Sequence, residues 1–488
     1  MGSHDTSAAI DRAPAPARCA DHRALRFLTA GSVDDGKSTL IGRLLFDSRA
    51  ILADQLDTLE KRAAGVPQAA GAPGFDLSLL TDGLEAEREQ GITIDVAYRY
   101  FTTRQRKFII ADAPGHEQYT RNMVTAAAGS DAAVVLVDVT KLDTASATAT
   151  APLKLLAQTR RHALLAQLLR VPSIVFAINK LDAVADPALA YAAVCTSLLA
   201  FAAEAGMAVA GIVPVSALRG DNVTQPPTDP GATLQAWASW YDGPSLLQLL
   251  ESLPTAQERT VGDLLVPVQY VARDGVARDG VARDGVARDD VARDDVARDG
   301  ASGKAGTGDQ PRTFWGRIAH GSVEAGDQVE VFPSRQKAVV VEVRMAGERV
   351  GSAQAGQSAG LVLDRQLDVS RGDWIATPDT VRETSRFSAT LAWLDTEPAV
   401  IGRKYAVRHG NRWVQARITA IESRLDIHSL RTTDAHELAV NEIGHVVIET
   451  QQPLPVEPYA SNRVGGSLII VDPTSNRTSG ALLVKAAA

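Results

Sequence analysis

The stretch Gly31-Ser-Val-Asp-Asp-Gly-Lys-Ser38 decides the fold of the first half of this chain. It fits the pattern G-x-x-x-x-G-K-[ST] and lies between an apolar run at 26–30 and an amphipathic stretch at 39–45. This context predicts a strand, a phosphate-binding loop and a helix. The glycines let backbone N–H groups turn inward around phosphate oxygens, and the helix N-terminus adds a positive dipole. We expect Lys37 to reach the β- and γ-phosphates of a nucleotide and the Ser38 hydroxyl to bind Mg²⁺.

Further buried strands are predicted along the same part of the chain. Apolar runs occur at 107–111, 132–138, 173–178 and 211–215, with amphipathic or Ala/Leu-rich segments between most of them, and a strand is also expected at 95–101. Alternation of apolar runs with helical segments is typical of βαβ units. The pattern therefore predicts a mostly parallel sheet covered by helices on both faces.

A second motif, Asp112-Ala113-Pro114-Gly115, directly follows the run at 107–111. An aspartate at a strand end that faces the phosphate loop can hold Mg²⁺ through water, and the glycine N–H can contact a γ-phosphate and so report its loss. His116 comes next, and we expect it to position the attacking water. The alternative for His116 is a solvated loop histidine without a catalytic role.

The motif Asn179-Lys180-Leu181-Asp182 follows the run at 173–178. Asparagine can serve the O6 and N7 atoms of guanine, and a carboxylate can accept hydrogen bonds from guanine N1 and N2. Adenine lacks these donors, so Asp182 would be left unpaired against it. The stretch Ser216-Ala217-Leu218, after the run at 211–215, would add a backbone N–H to O6. Four motifs in this order, each at a strand end, predict GTP binding.

Thr93, within Glu89-Gln-Gly-Ile-Thr-Ile94, precedes the strand at 95–101 and can complete the Mg²⁺ shell when the γ-phosphate is present. The expected Mg²⁺ ligands are Ser38, Thr93 and Asp112, and the expected catalytic residues are Lys37, Thr93 and His116. The residues expected to bind GTP are Gly31, Ser32, Val33, Asp34, Asp35, Gly36, Lys37, Ser38, Thr39, Asp112, Ala113, Pro114, Gly115, His116, Asn179, Lys180, Leu181, Asp182, Ser216, Ala217 and Leu218.

Length and composition limit the other possibilities. The chain has 488 residues, too many for one core, and a net charge of −8 that gives no reason to expect nucleic acid. Its two cysteines, Cys19 and Cys195, are too few for a disulfide framework and fit a reducing cytoplasm. We expect that no apolar run reaches the ~18 residues that span a bilayer and that the N-terminus lacks a signal-peptide stretch. We expect a cytoplasmic protein with no membrane partner.

After Pro254 the helical pattern fades, and short alternating strands with Gly/Asp turns follow in two sets. The predicted fold class is an α/β P-loop GTPase domain followed by two small antiparallel β-barrel domains. The expected boundaries are a disordered tail at 1–24, the GTP-binding domain at 25–257, the first barrel at 258–384 and the second at 385–488.

A tandem repeat interrupts the first barrel. Residues 271–300 are six copies of Val-Ala-Arg-Asp-Gly/Asp, and 301–310 continue as a Gly-rich linker. The period of five matches neither a helix nor a strand, and Val and Ala are its only apolar residues, so we expect a disordered insertion at 271–310. A protein-interaction arm is the alternative to a neutral expansion of a surface loop.

These residues resemble a known family. The stretches 88–93 and 112–123 are similar to the elongation factor Tu superfamily. Within it, the chain resembles the large subunit of ATP sulfurylase, sulfate adenylyltransferase subunit 1. The further stretches that carry this resemblance are 31–45, 158–162, 215–222, 240–247, 370–373 and 465–472.

The resemblance implies a GTPase subunit of a heteromeric enzyme that makes adenosine 5′-phosphosulfate and pyrophosphate from ATP and sulfate. GTP and Mg²⁺ would be the cofactors. The partner would be a small catalytic subunit that carries the adenylyl-transfer site, in a heterodimer or a higher assembly. A translation-type GTPase that binds aminoacyl-tRNA or the ribosome is the alternative, and a stand-alone regulatory GTPase is a third reading.

Overall fold

The computed structural model describes residues 24–51, 77, 95–116, 120–144, 153–226, 240–255, 262–273, 311–426 and 429–487. The chain divides into two compact units. One comprises Met1–Gln257, Ser423–Ala435 and Ala439–Ile443, and the other comprises Glu258–Glu422, His436–Leu438 and Gly444–Ala488. The parallel sheet lies in the first unit, and the strands of the two antiparallel sheets lie mainly in the second.

The first unit contains a six-stranded sheet with the order β2-β3-β1-β4-β5-β6. Only β2 is antiparallel to its neighbour. The strands are β1 Leu25–Ala30, β2 Ala97–Thr102, β3 Lys107–Asp112, β4 Ala132–Asp138, β5 Ser173–Asn179 and β6 Val209–Pro214. The helices are α1 Lys37–Asp47, α2 Thr120–Ala128, α3 Ala157–Leu168, α4 Pro187–Glu204 and α5 Leu246–Ser252, with 3-10 turns at Val139–Lys141 and Leu181–Ala183.

The apolar runs explain this sheet. Every residue of β4 and β5 is buried, as expected for central parallel strands covered on both faces. The predicted strands are confirmed within two residues at their ends. Because β1 lies between β3 and β4, the loops at the carboxyl ends of these strands meet on one edge of the sheet, where open α/β sheets bind ligands.

Helix α4 differs from the sequence expectation. By length and composition alone it could cross a membrane, with a mean hydropathy of 1.4 over its 18 residues, so an apolar stretch of that length does exist. Asp186 caps its N-terminus by accepting from the Leu189 N–H, and Pro187 occupies the first turn. Val194, Leu198 and Phe201 are buried in the domain, and 33% of the 18-residue window is buried in all.

The first antiparallel sheet has eight strands with the path β7-β16-β11-β12-β15-β9-β8, and β13 pairs with β12. Its strands are β7 Leu265–Pro267, β8 Tyr270–Arg273, β9 Arg312–Arg317, β11 Gln328–Phe332, β12 Gln336–Met345, β13 Glu348–Val350, β15 Ser358–Leu363 and β16 Trp374–Ala376. Strands β10 Ser322–Glu324 and β14 Ser352–Gln354 form a separate two-stranded sheet. The two end strands of the eight-stranded sheet, β7 and β8, are consecutive in the chain, so this sheet curls round one core that includes Phe314, Val331 and Leu361.

The second antiparallel sheet closes on itself. Its seven strands are β17 Thr384–Trp393, β19 Lys404–His409, β20 Arg412–Leu425, β21 Thr432–Thr433, β23 Ile443–Leu454, β24 Ser467–Val471 and β25 Thr478–Ala487. Strands β18 Ala399–Val400 and β22 Glu437–Leu438 form a separate two-stranded sheet. The path β19-β24-β25-β17-β23-β20 returns to β19 through the β19–β20 pairing. Two β-rich, antiparallel barrel folds after the parallel sheet are therefore confirmed.

The insertion that contains the tandem repeat begins after Arg273, later than the sequence predicted. The first residues of the repeat, Val271, Ala272 and Arg273, belong to β8 and pair with β9, so they are ordered. They fit a strand because Val271 packs partly against the barrel core and β9 supplies a backbone partner. Arg273 is the register partner of Arg312, so the two residues that flank the segment 274–311 lie opposite each other in the sheet. Residues 274–310 lie outside the described part of the chain.

Candidate nucleotide-binding site

The phosphate-loop residues join β1 to α1, and Lys37 lies across this loop. The Lys37 Nζ donates to the carbonyl oxygens of Gly31 at 3.0 Å and Ser32 at 2.7 Å. Gly36 has a φ of 91°, a left-handed conformation that favours glycine, and the helix begins at the next residue. Burial lowers the pKa of Lys37, whereas the carboxylates of Asp112 and Asp35 raise it. The loop thus presents a buried amine held by its own carbonyl groups.

The Asp112–Gly115 segment passes directly over this amine. A Cβ atom on Gly115 would lie 2.4 Å from Lys37 Nζ and 2.8 Å from the Gly31 carbonyl oxygen, so only glycine fits there. Asp112 is buried, and its Oδ1 accepts from the Thr29 hydroxyl at 3.2 Å. The first two motifs, about 80 residues apart in the sequence, therefore meet at one point.

Asn179 connects the phosphate loop with the strand-end loop after β6. Its Nδ2 donates to the Asp35 carbonyl oxygen at 2.8 Å, and its Oδ1 accepts from the Ala217 N–H at 2.9 Å. The sequence predicted that Asn179 contacts guanine O6 and N7. In the structure each polar atom of its amide bonds to the backbone of a neighbouring loop, and the contact with the base stays a prediction.

The rest of this motif surrounds the same loop. Lys180 has a φ of 64°, and its Nζ donates to the Asp34 carbonyl oxygen at 2.6 Å. Asp182 is half-buried in the 3-10 turn Leu181–Ala183. Burial raises the pKa of Asp221 to about 6, and the nearby Asp182 carboxylate contributes in the same direction. Asp182 therefore lies near Asp221 in the loop 216–221, and its contact with a base stays a prediction.

The structure brings four predicted groups together: 31–39, 112–116, 179–182 and 216–218. They follow or terminate β1, β3, β5 and β6. Ser38 and Thr39 lie in the first turn of α1, Ala113 and Pro114 are buried, and His116 is half-buried. Thr93, the predicted switch residue, lies outside the described residues.

Sequence reasoning missed several residues at this edge. Asp138 at the end of β4 accepts from the Thr140 N–H at 2.9 Å and pairs with Lys180 at 2.7 Å. Lys141, three residues later, pairs with Asp35 at 2.8 Å. Their place after a predicted strand was the one signal available, because β4 ends beside β1 and β5.

Helix α3 contacts the segment that contains Gly115. The Gln158 Nε2 donates to the Gly115 carbonyl oxygen at 3.3 Å, and the Arg161 Nη1 donates to Gln158 Oε1 at 2.6 Å. His162 is buried, and burial, with the nearby charges of Lys37 and Arg161, lowers its pKa to about 3. The stretch 158–162, noted in the sequence only for its resemblance, therefore lies against the phosphate loop and the second motif.

Comparison with known proteins agrees with this geometry. The family described as "Elongation factor Tu GTP binding domain" matches residues 22–258, and "GTP-eEF1A C-terminal domain-like" matches residues 386–485. The fold and the site define a GTP-binding protein of the elongation factor Tu class.

Relatives along nearly the whole chain narrow this class. "Sulfate adenylyltransferase subunit 1" of Laribacter hongkongensis is 40% identical over 95% of this chain and 85% of its own length. The protein of the same name from Shewanella woodyi is 38% identical over 94% and 87%. "Bifunctional enzyme CysN/CysC" of Mycobacterium tuberculosis is 40% identical over 94% of this chain and 67% of its own length. The chain belongs to the sulfate adenylyltransferase subunit 1 family.

Solved structures of Sup35 complexed with GDP and with GMPPNP are also similar. Each is 20% identical and covers 96% of this chain and 95% of its own, with TM-scores of 0.39 and 0.38. The relatives with high identity are sulfate adenylyltransferase subunits, and they do not support the translation-factor alternative.

Proposed function

We propose that this chain is the GTPase subunit of a heteromeric sulfate adenylyltransferase. GTP hydrolysis would drive the formation of adenosine 5′-phosphosulfate and pyrophosphate from ATP and sulfate. The observation that carries the GTPase role is the close approach of Gly115 to Lys37, where a Cβ atom would lie 2.4 Å from Nζ. This proximity supports the proposal that Lys37 binds the γ-phosphate and that the Gly115 segment reports its loss. The sulfate reaction is supported by the printed names of the relatives.

The residues at the site fit Mg²⁺. Mg²⁺ is usually held by one or two carboxylates together with substrate phosphates and water, and a dedicated protein cage is not needed. Within the described ranges, no group of three His, Cys, Asp or Glu side chains is arranged to hold a metal ion. Ser38 and Asp112 would hold the ion, and we add Thr93 from its place in the sequence. When bound, the ion neutralises charge that develops on the phosphate oxygens.

The chain's own residues supply the remaining roles. Lys37 binds the β- and γ-phosphates and is held by the carbonyl groups of Gly31 and Ser32. Asp182 accepts hydrogen bonds from guanine N1 and N2 and so selects guanine over adenine. His116 orients the attacking water. Its half-buried position, next to the Gly115 that covers Lys37, supports this role.

Coupling to the sulfate reaction follows from the switch segments. Loss of the γ-phosphate removes the partner of the Gly115 N–H, and the new conformation is transmitted to a small catalytic subunit that holds ATP and sulfate. We place the assembly in the cytoplasm because two cysteines in the whole chain fit a reducing compartment.

The test is reconstitution of the full chain with its small subunit. The chain alone should bind GTP and make no adenylylsulfate. With the small subunit, ATP and sulfate, GTP turnover should rise and pyrophosphate should be released. Adenylylsulfate formation that is indifferent to GTP would overturn the coupling. Tight binding of aminoacyl-tRNA in the GTP state would restore the translation-factor alternative.

A further inference from the structure

A fully buried carboxylate lies inside the phosphate loop. Asp35 is 0% exposed, and its Oδ2 accepts from the Ser32 N–H at 2.5 Å. A buried anion is stable only when it is paired, and an unpaired one at this point would also repel the phosphates of a nucleotide. Lys37 within the motif is close enough for Asp35 to raise its pKa, but its amine donates to the carbonyl oxygens of Gly31 and Ser32. A direct ion-pair partner of Asp35 therefore comes from outside the phosphate-binding motif.

Lys141 supplies that cation. It ends the 3-10 turn Val139–Lys141, which Asp138 caps directly after β4. Its Nζ lies 2.8 Å from Asp35 Oδ1, donates to the Val33 carbonyl oxygen and lies 3.8 Å from Asp138 Oδ2. The Lys141 side chain is 33% exposed, whereas that of Asp35 is 0% exposed. Lys141 thus neutralises Asp35 and ties the loop to the end of β4.

The pair is connected to the phosphate-binding amine. Asp35 holds the N–H of Ser32, and the carbonyl oxygen of Ser32 accepts from Lys37 Nζ at 2.7 Å. The two charges also affect Lys37 directly. Burial has the largest effect on the pKa of Lys37, Asp35 raises it and Lys141 lowers it. A change at Lys141 therefore reaches Lys37 both through the loop backbone and through the local field.

We propose that Lys141 is a positioning residue of the GTP site, which neutralises Asp35 and fixes the phosphate loop so that GDP and GTP are held tightly. The residue acts through Asp35 and does not contact the nucleotide itself. This inference rests on GTP binding, which is part of the proposed function, but it does not depend on the sulfate reaction.

The test measures dissociation of a fluorescent GDP analogue from the full chain. Lys141→Met should speed dissociation by at least about tenfold, because it leaves a buried carboxylate unpaired. Asp35→Asn removes that charge while keeping an acceptor for the Ser32 N–H. The double variant with Asp35→Asn and Lys141→Met should therefore release the GDP analogue at a rate within about threefold of that of Asp35→Asn alone. Lys107→Met, at the opposite end of β3, is the matched control and should match the unchanged chain.

The rescue separates this role from a merely structural one. If Lys141→Met releases GDP at the unchanged rate, or if the double variant is as fast as Lys141→Met, neutralisation of Asp35 is wrong. Should Lys141→Met fail to fold, the comparison of Asp35→Asn with the double variant decides, since a tenfold difference there would also overturn it. If the proposed coupling to the sulfate reaction is wrong, the result is different: GDP binding is normal, and the rate of adenylylsulfate formation does not depend on GTP.

Discussion

Gly36 and Asn179 fit together only because residue 36 has no side chain. A Cβ atom on Gly36 would lie 2.4 Å from the Asn179 Nδ2, and the φ of Gly36 is 91°. The same Nδ2 donates to the carbonyl oxygen of Asp35, so the guanine motif and the phosphate loop are in direct contact. The glycine of the first motif is thus required by the asparagine of the third as well as by its own backbone.

Gly36→Ala should therefore weaken GTP binding by at least about tenfold, because the left-handed backbone alone costs an L-residue ~1–2 kcal/mol and Asn179 must also move. Isothermal titration with GTP measures the effect. Gly129→Ala is the matched control, since a Cβ atom there meets nothing within 4 Å. Equal affinities for the two variants would contradict the proposed contact.

Guanine selectivity should reside in Asp182. Asp182→Asn should lower GTP affinity by at least about tenfold and shift preference toward xanthosine triphosphate, because asparagine offers a donor to xanthine O2 while guanine loses its carboxylate partner. Competition between the two nucleotides measures the shift. Unchanged GTP affinity in Asp182→Asn would contradict the assignment of guanine recognition to Asp182.

His116 and Lys37 should separate hydrolysis from binding. His116→Ala should slow GTP hydrolysis by roughly 10²-fold or more and largely keep GTP affinity, because its role is to orient water in the transition state. Lys37→Ala should lose both, since it removes the cation beside the phosphates. Single-turnover hydrolysis and equilibrium binding are measured on each variant. Normal hydrolysis by His116→Ala would favour the solvated-loop alternative.

The tandem repeat should be dispensable from Asp274 onward. Deletion of 274–300 keeps β8, and loop-closure entropy changes slowly with loop length, so the melting temperature should shift by less than about 2 °C. Deletion of 271–300 is the informative control. It removes Val271, which is partly buried and packs against the barrel core, and should lower the melting temperature. A large loss from the shorter deletion would show that the repeats contribute to stability.

His409 should make the barrels sensitive to acid. It stacks on Trp374 with 4.8 Å between ring centroids, and burial lowers its pKa from 6.5 to about 4. Between these two pKa values the unfolded chain binds the proton more readily than the folded chain does. Protonation of His409 therefore leaves the free energy of unfolding unchanged above pH 6.5 and lowers it as the pH drops toward 4. The loss should reach up to about 3 kcal/mol.

Calorimetry of the full chain at about pH 7 and about pH 4.5 measures this loss. His409→Gln should reduce the pH dependence of the barrel transition. The neutral amide cannot take up the proton, although it can still donate to the Gly465 carbonyl oxygen, which lies 3.0 Å from His409 Nε2. The same pH dependence in His409→Gln would place the sensitivity at another group.

The sequence predicted the central strands and the motif positions because apolar runs bounded by Gly, Asp or Asn are strong local signals. It did not predict β25, whose buried residues from Ser479 to Val484 show no alternation. It also missed the pairing of Lys141 with Asp35, because two residues that are far apart in the sequence meet only when β1 and β4 lie side by side. Local patterns thus identify the elements, and the contacts between them depend on the sheet order.

The pairing of Arg273 with Arg312 has a consequence for the gene. Any stretch between two register partners of adjacent antiparallel strands starts and finishes at the same place, whatever its length. A repetitive coding sequence can gain or lose whole units of five codons during replication, and each such change would leave the strand alignment on both sides untouched. Close relatives of this chain should therefore differ in copy number at this point more freely than anywhere else in the barrel, and the site is a natural place to insert a reporter peptide.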